Sequence, residues 1–178
     1  INFVMTKKKI ILVPDEILRK KSEKIEKITN KEKQLADDLF ETMYNNNGIG
    51  LAAVQVGVLK RMIVIDVSKK DEEKKPFCLI NPVIKSLGKD RSTYEEGCLS
   101  IPETFIEIER PKTCIVEYVD ISGNKKNMEC DGLLSTCVQH EINHLDGKLI
   151  IDFLSKLKKD ILIKKLSKNK NTSSRVIV

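Results

Sequence analysis

The chain of 178 residues suits one domain with a sizeable core, and its 40% hydrophobic and 33% charged residues are ordinary for a globular protein. No apolar run approaches the roughly 20 residues of a membrane span, and no basic start, apolar stretch and small-residue cleavage site marks a secretory signal. The net charge of +6 gathers in the last third, where 156–170 reads KLKKDILIKKLSKNK. Such a block suits an anionic surface such as RNA, while the plainer reading is a solvated helix face. No membrane and no specific DNA partner is therefore expected.

In chain order, Lys8 to Val13 reads as a short strand that Pro14 ends. Thr29-Asn30-Lys31-Glu32 is a capping-box pattern, and Leu35, Leu39, Phe40 and Met43 follow at helical spacing, so the pattern predicts an amphipathic helix over 30–45. Asn45-Asn46-Asn47-Gly48 stops it, because Asn and Gly tolerate the left-handed backbone a helix stop needs. After Gly48–Gln55, a strand is predicted at Met62–Val67, then a charged loop from Lys69 to Lys75. Further strands are predicted at 77–84, 104–109, 112–119 and 125–130, with Asp120 to Asn124 as a hairpin connection.

Asp131 is the expected cap of a second helix running to Asp146, with Gly147 as its stop and Leu134, Val138, Ile142 and Leu145 as its apolar face. Leu154, Leu157, Ile161 and Leu166 mark a third, basic helix. The sum is an α+β fold: largely antiparallel strands packed around a central helix, plus a C-terminal helix. One domain is expected over 1–168 and a tail over 169–178. The five cysteines, Cys78, Cys98, Cys114, Cys130 and Cys137, are odd in number and irregularly spaced, with no CxxC pair. A reducing, intracellular setting is the simpler inference than a disulfide framework.

The chemistry concentrates in the second helix. The only two histidines, His140 and His144, are four apart, so both imidazoles project from one helix face. Glu141 beside them completes His-Glu-x-x-His, the pattern that offers a metal two nitrogen ligands with the Glu as general base. A catalytic metal needs a third protein ligand and an open position. No histidine follows at the spacing some proteases use, where Ile150 stands instead, and no glutamate follows Glu141. Asp152 and Asp160 are weak downstream candidates. Cys98, in Glu95-Glu96-Gly97-Cys98-Leu99-Ser100, is the better one, since a thiolate binds Fe(II) or zinc strongly. Gly97 would permit close backbone approach to the site. By spacing alone Cys98 reads equally well as a small buried residue.

Three segments, GIGLAAVQ at 48–55, EGCLS at 96–100 and QHEINH at 139–144, resemble the three signature motifs of the peptide deformylase family in order and separation. Pro14 to Arg19 and Phe40 to Tyr44 also resemble bacterial members. The resemblance implies Cys98, His140 and His144 as ligands of one divalent ion, physiologically Fe(II), with zinc, nickel or cobalt as substitutes, and water in the fourth place. It implies Glu141 as base and then acid, with Gln55 and the backbone N–H of Leu99 holding the formyl oxygen. It implies Ile49, Leu133 and Cys137 as the methionine pocket, and backbone near Ile49 and Gly50 binding the substrate as an added strand. The partners implied are nascent formyl-methionyl polypeptides and, through the basic C-terminal helix, the ribosome.

The chain departs from the family at two positions. Asn143 stands where most members carry Asp, and is expected to weaken a charge-assisted contact behind the metal ligands. Phe105 stands where bacterial members often have Arg, so a different substrate rim is expected. The Lys- and Asn-rich composition and the start at Ile1, which reads as a processed or trimmed form, suit a plastid-type relative from a protist. An organelle of bacterial descent (plastid or apicoplast, or mitochondrion) is favoured, with the bacterial cytoplasm as the alternative. Two other readings stay open: a different metallo-amidase or endopeptidase, and a closed structural zinc site of Cys98, Cys137, His140 and His144.

Overall fold

The strand Met62–Ile65 (β2) reads Met-Ile-Val-Ile and is buried at every position, so it has no solvent face and the sheet around it must be covered on both sides. The computed structural model describes residues 6–173, with side chains through residue 168. Its main sheet holds five strands in the order β1-β2-β3-β6-β7, with β1 at Gly50–Ala52, β3 at Phe77–Leu87, β6 at Thr113–Val119 and β7 at Lys125–Asp131. All its pairings are antiparallel. A separate antiparallel hairpin joins β4 (Arg91–Cys98) to β5 (Ile101–Pro111). This is the α+β architecture that the sequence predicts.

Alternation along β2 divides the core. Ile63 and Ile65 join Leu79 and Val116 against Val138, Ile142 and Leu145 of the helix Gly132–Leu145 (α2). Met62 and Val64 face the other way, into a cluster with Leu39 and Met43 of the helix Asn30–Asn45 (α1). Each fully buried apolar side chain of this kind contributes roughly 1.5–3 kcal/mol. A third cluster, with Leu18, Ile101, Ile108 and Ile151, lies beneath the hairpin.

The helix starts follow local chemistry. Thr29 Oγ1 accepts from the Lys31 N–H, and the Glu32 carboxylate accepts from the Thr29 N–H at 2.8 Å, completing the capping box. Asp131 occupies the cap position of α2, but its side chain makes no capping hydrogen bond. The Gly132 N–H instead donates to the Lys112 carbonyl at 2.9 Å, and the Ser135 hydroxyl to that of Pro111. The start of α2 is therefore tied to the hairpin's exit. Gly147 stops it at φ +71, where a Cβ would fall 2.2 Å from the Arg19 carbonyl oxygen.

Other expectations change as well. The segment Lys8 to Val13 is extended but joins no ladder: the Ile11 N–H donates to Gln55 and the Val13 N–H to Ser100, two different segments. β4 escapes the sequence pattern because its inward positions include the polar Ser92 and Glu96, and β1 is too short at three residues to show a period. The third helix, Lys156–Ser173 (α3), packs through Leu162, Ile163 and Leu166, whereas Leu157 and Ile161 are 71% and 59% exposed. Leu154 precedes that helix. Of the expected tail, 169–173 continue α3, and 174–178 lie outside the described residues.

Candidate metal centre

The two turns of α2 between Val138 and Leu145 are pinned by those apolar residues to the sheet, which directs the intervening histidines toward the hairpin. His140 Nε2 and His144 Nε2 lie 3.2 Å apart, and Cys98 Sγ lies 3.3 Å from His144 Nε2. One ligand atom from each of these residues falls within 4.8 Å of the other two. Cys98 reaches them from the end of β4, where the pairing slips between Gly97 and Cys98. The glycine before it answers to the opposite side: a Cβ on Gly97 would come 2.8 Å from the Phe105 ring, so Phe105 packing, rather than backbone approach to the site, excludes a side chain there.

His140 is oriented from behind. Its Nδ1 is 2.9 Å from Glu96 Oε2, and a carboxylate only accepts, so Nδ1 carries the proton and Nε2 is the ring atom that can offer a lone pair to a metal. Arg110 clamps Glu96 with two hydrogen bonds of 2.6 and 3.0 Å and donates to Asn143 Oδ1 at 2.8 Å. Burial alone would raise the Glu96 pKa, but hydrogen bonds from His140 and Arg110 outweigh it and hold the carboxyl below its ordinary value. Asn143 therefore keeps a contact with Arg110, as an amide oxygen rather than a carboxylate. Burial opposes charge on His140 as well, yet hydrogen bonds to Cys98 and Glu96 take it up to about 10. Burial, then the charges of His140 and Arg110, push His144 well below its usual range.

Glu141 is 4% exposed, its Oε2 has no hydrogen-bond partner among the described residues, and burial pushes its carboxyl up to about 7. Gly50 leaves room for it: a Cβ there would sit 2.5 Å from Glu141 Oε1. Gln55 is fixed at both ends, Oε1 accepting from the Ala52 N–H at 2.9 Å and Nε2 donating to Ser100 Oγ at 3.1 Å. The same Nε2 is 3.7 Å from Cys98 Sγ.

Gly50, Gln55, Glu96, Cys98, His140 and Glu141 line one cleft of about 530 Å³, with His144 buried behind it. Ile49, Leu99, Leu133 and Cys137 border it, with Ile49 and Leu133 about two-fifths exposed at 41% and 40%. β1 is an edge strand of the main sheet, and the Ile49 carbonyl accepts from the Asp66 N–H on the side facing the sheet, so the other edge of this segment borders the cleft. Cys137 directs its thiol to the Ile49 carbonyl at 3.6 Å and is outside the three-residue cluster. Asp152 is engaged by Arg19 and Lys159, far from any ligand role.

The sequence reading missed the roles of Glu96 and Arg110. A signal existed: period two along β5 places Arg110 on the same inward face as Ile106 and Ile108, and an inward arginine implies a buried anion. Naming that anion required the fold.

Comparison with known proteins agrees with the geometry. Residues 7–160 match the family profile described as Polypeptide deformylase. The chain is 52% identical to a peptide deformylase of Pelagibacter ubique over 174 residues, covering 98% of this chain and all of the relative. It is 53% identical to one of Agrobacterium fabrum, covering 92% of this chain and 96% of that one. The crystal structure of peptide deformylase from Ehrlichia chaffeensis superposes with a TM-score of 0.90 at 41% identity, over 94% of this chain and 99% of that one. With the match spanning nearly the whole chain and a fold shared with such a structure, the protein belongs to the polypeptide deformylase family of enzymes.

Proposed function

We propose that the protein removes the formyl group from the N-terminal formyl-methionine of newly made polypeptides, hydrolysing a linear amide and releasing formate. The observation that carries this reading is one thiol and two imidazole nitrogens gathered together, with Cys98, His140 and Glu141 lining a cleft bordered by a strand edge and His144 buried behind them. The donor set fits a single divalent ion: sulfur and two ring nitrogens, one of them already turned by Glu96, with three protein donors leaving a position for water. Cys98, His140 and His144 would hold it. Fe(II) is the ion we favour, with zinc, nickel or cobalt as substitutes, since thiolate and imidazole suit all four. When bound, it supplies Lewis acidity and brings the pKa of a water toward neutrality.

The remaining roles belong to the chain. Glu141, raised to about 7, is matched to take a proton from the attacking water near neutral pH and return it to the leaving amine. Gln55 Nε2, whose contact with sulfur is weak at 3.7 Å, turns that hydrogen to the formyl oxygen as charge develops there, beside the backbone N–H of Leu99. Each such donor is worth roughly 3 kcal/mol at the transition state. Ile49, Leu133 and Cys137 receive the methionine side chain. The free edge at Ile49 and Gly50 pairs with substrate backbone, which tolerates many following sequences.

Residues 1–168 act as one catalytic unit. The basic face of α3 offers a contact to the ribosome, which loss of ribosome co-sedimentation on deleting 155–178 would support. Relatives at about half identity are bacterial, which favours the bacterial cytoplasm over an organelle; the organellar expectation had only the composition and the start at Ile1 behind it.

Formate release from formyl-Met-Ala-Ser, beside cleavage of unformylated Met-Ala-Ser, tests the activity. Formate with no cleavage of the second peptide is expected. Equal hydrolysis of both would replace this reading with a general peptidase. Metal analysis after anaerobic purification identifies the ion.

A further inference from the structure

All five cysteines are free thiols, and three of them have a place already: Cys98 in the metal centre, Cys137 against the Ile49 carbonyl, and Cys78 opposite Val64 of β2. Cys114 and Cys130 remain, and they face each other. Cys114 of β6 pairs directly with Cys130 of β7, on the side of the sheet that packs against α2, and the two are 3% and 2% exposed. The ladder fixes their spacing. The Gly132 N–H donates to the Lys112 carbonyl, and hydrogen-bonded pairs recur every second residue, so 114 with 130 is such a pair. The Cα atoms of such a pair stand about 5.5 Å apart, within the roughly 4.4–6.8 Å that a disulfide spans.

The pair is also set up to react. The Cys130 thiol donates to the Cys114 sulfur, which lowers the Cys114 pKa against the burial that raises it, while the same contact and burial push Cys130 up. One sulfur is thus favoured as the nucleophile and the other is held as a thiol. Access comes from the edge of the sheet. β7 has no strand beyond it among the described residues, and a hollow of about 570 Å³ lies against this end of the ladder, with both cysteines among its lining residues. Local opening of an edge strand admits a small oxidant while the rest of the domain stays folded.

We propose that Cys114 and Cys130 form a modification site separate from the metal centre, where hydrogen peroxide produces a reversible disulfide that staples β7 and the start of α2 to β6. The Cys114 thiolate attacks one peroxide oxygen and the O–O bond breaks, leaving a sulfenic acid and a hydroxide that takes a proton from solvent. The Cys130 sulfur then attacks the Cys114 sulfur. The S–O bond breaks, and its oxygen leaves as water with the Cys130 proton. Two thiols and one peroxide thus give one disulfide and two waters, and a thiol reductant restores the pair by exchange. Asp131 and Gly132 follow Cys130 directly, so the bond holds the junction between β7 and α2. A reversible bond of this kind suits a reducing compartment, where a permanent disulfide framework does not.

The test uses the full chain loaded with zinc, which has no redox chemistry of its own. The protein is treated with hydrogen peroxide in native buffer, remaining thiols are alkylated in denaturant, and the trypsin digest is read by tandem mass spectrometry. A linked pair of peptides, 113–125 with 127–148, is expected, with fragments placing the bond at Cys130 rather than Cys137. Dithiothreitol should restore both thiols, C130A should abolish the link, and C137A should keep it. Amide hydrogen exchange over 125–131 should slow about tenfold or more in the oxidised protein. Both thiols still free, a bond to Cys137, or a bond that forms only in denaturant overturns the site. A bond at Cys130 with unchanged exchange overturns the staple.

Discussion

Helices α2 and α3 both carry leucines and isoleucines at helical spacing, yet they treat them oppositely. Ten of the fourteen residues of α2 are buried, including polar His140, Glu141 and His144, whereas α3 leaves Leu157 and Ile161 in solvent and packs a different edge. A hydrophobic period states that a helix exists, but which edge is covered depends on what lies beneath it. Under α2 is a five-stranded sheet; α3 packs on the third cluster, drawn from β5, the short helical turn Ile150–Phe153 and the segment from Ile11 to Leu18. The hairpin supplies partners for some polar groups inside α2, Glu96 for His140, Cys98 for His144 Nε2 and the Pro111 carbonyl for Ser135 and Gln139, while Glu141 Oε2 and His144 Nδ1 have none among the described residues.

The largest way to break that contrast is Arg110→Ala. It strips the buried Glu96 of its cation, so urea unfolding should show a loss of about 3–5 kcal/mol, with weaker metal retention against a chelator. Leu145→Ala, under α2, should cost about 2–5 kcal/mol in the same titration. Glu141→Ala should lower kcat at least ~10²-fold, about 2.7 kcal/mol of barrier, while metal content holds. Full activity in that variant would remove Glu141 as the base.

The α3 side should answer more weakly. Asp152 bridges Arg19 and Lys159; burial raises its pKa, but the hydrogen bonds from those cations outweigh burial and hold it at about 2 against an ordinary 3.8. A depressed carboxyl stabilises fully above its unfolded pKa, so its contribution should persist at pH 6 and fade between about pH 4 and pH 2. The Tm gap between wild type and Asp152→Asn should narrow over that window. Leu157→Ala, at the exposed edge, should change stability by no more than about 0.5 kcal/mol.

What the sequence made legible follows the same division. The capping box of α1, the strands β2, β3, β5, β6 and β7, and α2 each carry a local pattern, and each forms close to its expected bounds. His140 and His144 were legible because one helical turn fixes their relation without any tertiary information. Cys98 was nameable through the resemblance but not its geometry, since its approach depends on a register slip in the hairpin. Glu96 with Arg110 was hidden because the pair meets only once β4 and β5 fold beneath α2. The edge of α3 was misread because Leu157 and Leu162 offer equally good periods, and only the third cluster chooses between them. Asn143 read as a lost charge, whereas the fold shows an amide oxygen still serving Arg110.

X-ray absorption at the zinc edge of the zinc-loaded protein tests the centre most directly. One sulfur at about 2.3 Å and two imidazole nitrogens at about 2.0–2.1 Å, with a light non-protein atom completing four, is the predicted shell. Two sulfurs, which would bring Cys137 in and close the fourth place, or none, which would remove Cys98, would contradict it.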